Sequence, residues 1–484
     1  MASFHSRPST IPPPPPTLQY AYPGTSDILS SCYPHPISSE QFLPRLPTPQ
    51  REPIWVNDGR IPYILTTHII PAAYWREDPD VKLPRTPSVD ERLSKEERKQ
   101  LTQLGEERFR KLRTEADEEI ACLSGKIGPR GQTKIMWICL NRYVRTSPVE
   151  GGNTLFFAHA NGFPKETWEP TLLSFLSSSQ TQSQVREIWT WDAANHGDSA
   201  LLNEGKLDAL FTGRNAVRDF LTFLLYYIPD PSHPIVERLP THLPRLPVKE
   251  TARRLQQGFS NGIIGVGHSF GGTVCTVSAM CAPSLFQSLI LIDPVICYPD
   301  IKFPQRRNVL VLGALARQSV WKDRDTARQD FLRSPFFQAF DSKVLDLYVE
   351  RGLYDAQREG DDSAGTVVRL KMPPVQEANV FINAPSGSAE AWVRLWRGEL
   401  PEKVALRWIV PGESPNVLMD FMSTSDGVTP TQARVWLRPS NSSNVRMNGA
   451  GHLIPQERPV ELGIELQQTL RSLGDGIQRS VAKL

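Results

Sequence analysis

The sequence predicts an α/β protein with a mostly parallel, doubly wound sheet interrupted by an inserted helical cap, and three observations carry that expectation. Short apolar strand patterns alternate with helical ones from residue 134 to residue 292. The alternation stops over 299–404, where helical patterns dominate, and resumes from 405. A glycine-rich pentapeptide, Gly267-His268-Ser269-Phe270-Gly271, stands where a strand pattern ends and a helix pattern begins. Strand–helix–strand repetition favours right-handed crossovers between parallel neighbours, hence helices on both faces of one sheet.

In chain order, residues 1–50 are Pro-rich, with an unbroken run from Pro12 to Pro16, and lack periodic apolar positions. Disorder or polyproline II is expected there. Within an N-terminal extension, 51–130, residues 59–75 read as β-like, and Leu93, Leu101, Leu104, Phe109 and Leu112 read as the apolar stripe of a charged amphipathic helix. The first part of the core, 131–298, offers strands at 134–144, 154–158, 188–191, 262–266 and 289–292, with helices at 214–227 and 271–280. A Pro-rich insertion, 229–258, opens with what reads as a loop. In the cap, helices are expected at 325–331, 343–353 and 389–396, with few strands. Strands at 405–410 and 445–447 and a helix at 459–473 complete the core over 405–475, leaving a tail at 476–484.

Bulk properties narrow the function. A chain of 484 residues can bury a large core. With 54 basic against 52 acidic side chains there is no field to draw nucleic acid or an anionic membrane, which leaves a small molecule as the expected partner. Cys32, Cys122, Cys139, Cys275, Cys281 and Cys297 are scattered without ligand spacing, so no metal, no disulfide framework and a reducing compartment are expected. Neither a signal peptide nor a transmembrane span is expected, because the apolar stretch 262–297 is broken by Gly267, Gly271, Gly272 and Pro283. The final residues Ala482, Lys483 and Leu484 are a conservative form of the Ser-Lys-Leu peroxisomal signal, which implies an import receptor as partner and the peroxisomal matrix as destination.

The pentapeptide fits G-x-S-x-G, the nucleophile elbow of the α/β-hydrolase fold. A strand-to-helix turn this tight strains its serine and requires small neighbours, and it points Oγ of Ser269 out of the sheet beside the amides of a helix N-terminus. The fold's order is serine, acid, histidine, and one histidine follows Ser269. It is His452, in the glycine loop Asn448-Gly449-Ala450-Gly451-His452-Leu453. For the acid the sequence offers three residues: Asp293, ending the 289–292 strand; Asp426, followed by an apolar residue and, four positions on, Pro430; and Glu413, after the 405–410 strand. Upstream, His159-Ala160-Asn161-Gly162 follows a strand, so the backbone amides of Asn161 and Phe270 are the expected oxyanion donors. His159 reads as an anchor of its loop, and Asp192 to Ser199 as a turn shaping the site floor. No cofactor is needed for such chemistry.

At these residues the chain resembles a fungal group of peroxisomal α/β-hydrolases that includes a yeast peroxisomal lipase and the hydrolases of host-selective AK-, AF- and ACT-toxin biosynthesis. The resemblance rests on the stretch from His159 to Glu166, on Asn195-His196-Gly197-Asp198-Ser199-Ala200, on Gly267 to Gly272, on Leu289-Ile290-Leu291-Ile292-Asp293-Pro294, on His68-Ile69-Ile70-Pro71 and on the terminal tripeptide. It implies hydrolysis of a lipid-like ester or a role in fungal secondary metabolism, and favours Asp293 as the acid. Acyl transfer and acyl-CoA thioester cleavage use the same residues, and a catalytically silent binding protein on the same fold is the rival of a different class.

Overall fold

The computed structural model describes residues 4–19, 28–29, 31–32, 43–74, 135–147, 152–207, 213–230, 235–299, 304–357, 365–412 and 428–481, with isolated positions between 96 and 107. Its centre is an eight-stranded sheet. In chain order the strands are β1 (Tyr63–Pro71), β2 (Trp137–Arg145), β3 (Asn153–Ala158), β4 (Val185–Asp192), β5 (Ile263–His268) and β6 (Phe286–Ile292). The cap contributes β7 (Val320–Trp321), β8 (Leu353–Gln357) and β9 (Thr366–Leu370), after which β10 (Ala405–Pro411) and β11 (Ser442–Met447) return to the large sheet. Its order is β1-β2-β4-β3-β5-β6-β10-β11; β1–β2 and β2–β4 are antiparallel, and the remaining neighbours parallel.

Adjacent residues of a strand face opposite layers, so a central strand must be apolar throughout. In β3, Phe156 stacks on Phe220 of the helix Gly213–Tyr226, ring centroids 4.0 Å apart, while Phe157 meets Trp168 edge-on at 5.1 Å on the other face. The first layer also takes in Trp189, Trp191 and Trp392; the second takes in Phe175, Ile264, Ile290 and Leu466. This double coverage makes β5 and β6 rigid supports, and their C-terminal ends lie side by side, His268 in register with Ile292.

Several expectations are revised. Residues 4–19 lie against the domain instead of trailing from it: His5 donates its backbone N–H to Asn444 Oδ1 at 2.7 Å, Trp436 Nε1 donates to His5 O, and the Tyr298 hydroxyl donates to Pro13 O. Proline residues have little conformational entropy to lose, and their carbonyls stay free to accept. The apolar stripe from Leu93 to Leu112 lies outside the described residues. The Pro-rich insertion covers the exposed edge of β1, through Ile69 N–H to Thr241 O at 2.7 Å and Leu243 N–H to Ile69 O at 3.2 Å, and ends in the helix Val248–Gln257. The cap holds a three-stranded antiparallel sheet, β7-β9-β8, beside its helices. Its principal helix runs Pro374–Trp396, beginning fifteen residues before the expected 389 because burial of Ala378, Val380, Ala391 and Trp392 outweighs the breakers Pro385 and Gly387. None of the described helices is long and apolar enough to cross a membrane.

Candidate active site

Ser269 occupies the junction of β5 and the helix Phe270–Cys281 with φ 53° and ψ −117°, a conformation that L-residues rarely adopt. The surrounding glycines are obligatory on steric grounds. A Cβ at Gly267 would fall 2.6 Å from the carbonyl oxygen of Gly271, one at Gly271 would fall 2.3 Å from that of Ala158, and one at Gly272 would fall 2.5 Å from Pro294 Cβ. The elbow is pinned to the next strand by Ser269 N–H donating to Ile292 O at 3.0 Å and Val295 N–H donating to Ser269 O at 3.0 Å.

Asp293 follows β6 by one position, at φ 34°, with its N–H given to Ile409 O of β10. His452 lies in the loop after β11, whose Gly449 has φ 73°. These loops converge at the carboxyl edge of the sheet, where open α/β folds bind ligands. His452 Nε2 is 2.8 Å from Ser269 Oγ, and His452 Nδ1 is 2.6 Å from Asp293 Oδ2. With Nδ1–H donating to the carboxylate, Nε2 is left to accept the serine proton. Thus Ser269, Asp293 and His452 form one hydrogen-bonded chain. Asp426 and Glu413 lie outside the described residues, as do Ala482, Lys483 and Leu484.

Two further groups brace the chain. The Asp293 carboxyl is fully buried, and Arg434 of the helix Pro430–Val435 reaches its other oxygen, Nη2 to Oδ1 at 2.6 Å, while Nη1 donates to Pro294 O at 2.6 Å. Burial alone would push this carboxyl up; Arg434 and the bond to His452 outweigh it and hold it below its ordinary value. His268 Nε2 donates to the backbone carbonyl of His452 at 2.8 Å, which fixes the loop beneath the imidazole. Arg434 has no sequence signal, whereas His268 sits inside the pentapeptide and its partner shows only in the fold.

The loop after β3 lies against the elbow, with Gly271 N–H donating to His159 O at 3.2 Å. His159 anchors it by giving Nδ1–H to Ala160 O at 2.8 Å and accepting Ala193 N–H on Nε2 at 3.0 Å. In the Asp192–Ser199 turn, His196 stacks flat on Phe270 and accepts Gly162 N–H on Nε2 at 3.2 Å. His196 thus links the loop that carries Asn161 to Phe270. Beneath them Lys165 is buried among Glu166, Asp192 and Asp198, each within 2.9 Å, and Lys371 reaches in from the cap to Asp198 at 2.6 Å. Burial opposes the Lys165 charge, but the carboxylates prevail and raise its pKa.

The cap aromatics Phe331, Phe337, Phe340 and Tyr348 are buried in one cluster with Ala160, Phe163 and Leu453, so they pack the cap onto the loops flanking Asn161 and His452; Phe336 remains exposed. Among the described residues no cluster of His, Cys, Asp or Glu could hold a metal ion.

Comparison with known proteins agrees with this architecture. The model of a family described as "Alpha/beta hydrolase family" matches residues 155–463. The chain is 28% identical over 220 residues to the type I acyl-CoA thioesterase mpaH' of Penicillium brevicompactum, a match covering 44% of each chain. It is 24% identical over 244 residues to the peroxisomal membrane protein LPX1 of Saccharomyces cerevisiae, covering 47% of this chain and 55% of that one. To the abhydrolase domain-containing protein AKT2 of Alternaria alternata it is 32% identical over 107 residues, covering 22% and 38%. The chain therefore spans about half the length, or less, of these curated relatives. The solved structure of the peroxisomal alpha-beta-hydrolase Lpx1 from Saccharomyces cerevisiae shares the fold, with a TM-score of 0.54 at 16% identity over 87% of this chain and 90% of that one.

Proposed function

The chain belongs to the alpha/beta hydrolase family, and we propose that it is a serine hydrolase of acyl esters in which Ser269 is the nucleophile, His452 the general base and acid, and Asp293 the group that orients the imidazole. The observation that carries the reading is the chain Ser269 Oγ–His452–Asp293, 2.8 and 2.6 Å, built on a strained elbow. In this mechanism Oγ attacks the acyl carbonyl as its proton passes to Nε2, and the buried carboxylate stabilises the imidazolium. Backbone amides of Asn161 and Phe270 receive the oxyanion. His452 then returns the proton to the departing group, and water hydrolyses the acyl-enzyme by the same steps in reverse.

A lipid-like or secondary-metabolite ester is the substrate class supported by the resemblance to toxin-biosynthesis hydrolases. The similarity to acyl-CoA thioesterases favours a second reading, a thioester substrate with the same nucleophile and base and a thiolate leaving group. A fluorophosphonate probe should label the wild-type chain and not Ser269→Ala, whose turnover should drop by about 10⁶ in kcat. A folded chain without a Ser269-dependent adduct overturns the reading in favour of a binding protein. Parallel kcat/KM values for p-nitrophenyl esters of increasing chain length and for the matching acyl-CoAs separate the two substrate classes.

We also infer a peroxisomal matrix location and an import receptor as partner, on the strength of Ala482-Lys483-Leu484 and the peroxisomal name of one relative. A fluorescent protein fused to the N-terminus of the full chain should be punctate and become diffuse when the last three residues are deleted. Puncta that survive the deletion refute the signal.

A further inference from the structure

The first turn of the cap helix Pro374–Trp396 stands directly on the loop that carries Asn161. Asn161 Nδ2 donates to the backbone carbonyl of Glu377 at 3.0 Å. The Glu377 carboxylate lies over Gly162, which has φ 88°; a Cβ built there would fall 3.2 Å from Glu377 Oε1. One residue earlier, Gln376 Oε1 accepts from Asn195 Nδ2 at 3.3 Å, so the same helical turn also touches the loop whose His196 receives the Gly162 amide. The carboxylate is tethered from its far side by Arg317, Nη1 to Oε2 at 2.8 Å, and Arg317 in turn is hydrogen-bonded to Tyr348 of the helix Ser342–Arg351.

Burying an ion pair in the seam between cap and core adds little to stability, because desolvation offsets the attraction. Burial pushes the Glu377 carboxyl above its ordinary value, and Arg317 pulls against that shift. An apolar side chain would fill the seam at lower cost, yet this pair sits on the one glycine next to the expected oxyanion donor. We propose that Glu377, tethered by Arg317, is a positioning residue for the oxyanion loop: its carboxylate braces Gly162 and its carbonyl anchors the Asn161 side chain, so the Asn161 amide is aimed only while the cap helix is seated. The inference rests on the reading of Asn161 as an oxyanion donor.

A misaimed donor weakens bonds made in the transition state and leaves ground-state binding alone, so the effect belongs in kcat. With p-nitrophenyl butyrate as probe, Glu377→Ala in the full chain should lower kcat about tenfold, a fraction of the loss of a whole donor, with KM changed less than about twofold. Glu377→Gln, which keeps the shape of the brace, should retain kcat within about twofold, and Arg317→Met should behave like Glu377→Ala because the carboxylate loses its tether. Should Glu377→Ala fail to fold, Arg317→Met and Glu377→Gln carry the test. An unchanged kcat in Glu377→Ala with a lowered Tm would make the pair a purely structural clamp. A loss confined to KM would make it a substrate contact; either result overturns the proposal while the hydrolase reading stands. If the wild-type chain neither turns over the ester nor takes the fluorophosphonate label, the hydrolase reading itself has failed.

Discussion

Asp293 has a partner on each oxygen, His452 on one and Arg434 on the other, and no contact with solvent. Replacing Arg434 by Met would leave a buried carboxylate with the imidazole alone, and removal of one member of a buried pair typically costs about 3–5 kcal/mol. Arg434→Met should therefore lower Tm sharply, and Arg434→Lys should recover only part of the loss, since an ammonium group cannot fork to both Asp293 Oδ1 and Pro294 O. Asp293→Asn should keep the fold and lose about 10⁴ in kcat, the loss expected when an asparagine leaves histidine in the wrong tautomer. A circular-dichroism melt and ester kinetics check both; an Asp293→Asn chain with full activity would move the acid elsewhere, to Asp426 or Glu413. What was legible at this scale was local. Ser269 and His452 announce themselves by glycine patterns within five residues, whereas the acid stayed a choice among three and Arg434, 141 positions from Asp293, gave no signal at all.

Elements whose burial follows one period could be read ahead of the structure, and those governed by tertiary contact could not. The central strands β3, β5 and β6 lie within a few residues of their expected positions, because each is buried on both faces and the apolar run itself marks its extent. The elbow was legible for a different reason: Gly267, Gly271 and Gly272 are dictated by packing so close that a Cβ at each would fall 2.3 to 2.6 Å from a neighbouring atom. In the cap the rules conflict. Pro385 and Gly387 signal a break that packing overrides, and Leu353–Gln357 and Thr366–Leu370 are short strands of a small sheet whose pattern is too brief to outweigh the helices around it. The edge of β1 posed a problem that the sequence solved out of view, by bringing the Pro-rich insertion across it; an uncovered edge invites pairing with another chain.

Among the described residues, four histidines are buried in geometries that suit a neutral ring. His68 gives Nδ1–H to Pro240 O and accepts from Thr66, while His159, His196 and His268 are bound as described around the elbow. Burial depresses each of them, to about 4 for His68 and His159 and to about 3 for His268, with His196 also well below its ordinary value. In the unfolded chain each titrates near 6.5. Between those limits the unfolded state binds more protons than the folded one, so stability rises with pH, is fully present above the unfolded value, and drains away as pH falls toward 4. Asp192 works the other way: burial raises its carboxyl against the pull of Lys165, so the folded state gains a proton there and offsets one histidine. The four depressed histidines outnumber the two raised carboxyls, Asp192 and Glu377, so unfolding takes up protons between about pH 4 and 6.5 and stability falls as pH drops through that window. Urea midpoints should accordingly be flat above pH 7 and fall steeply below pH 6, well before ordinary carboxylates protonate. A midpoint unchanged down to pH 4.5 would mean that these rings accept protons in place, and that the hydrogen bonds holding the oxyanion loop and the His452 loop tolerate imidazolium.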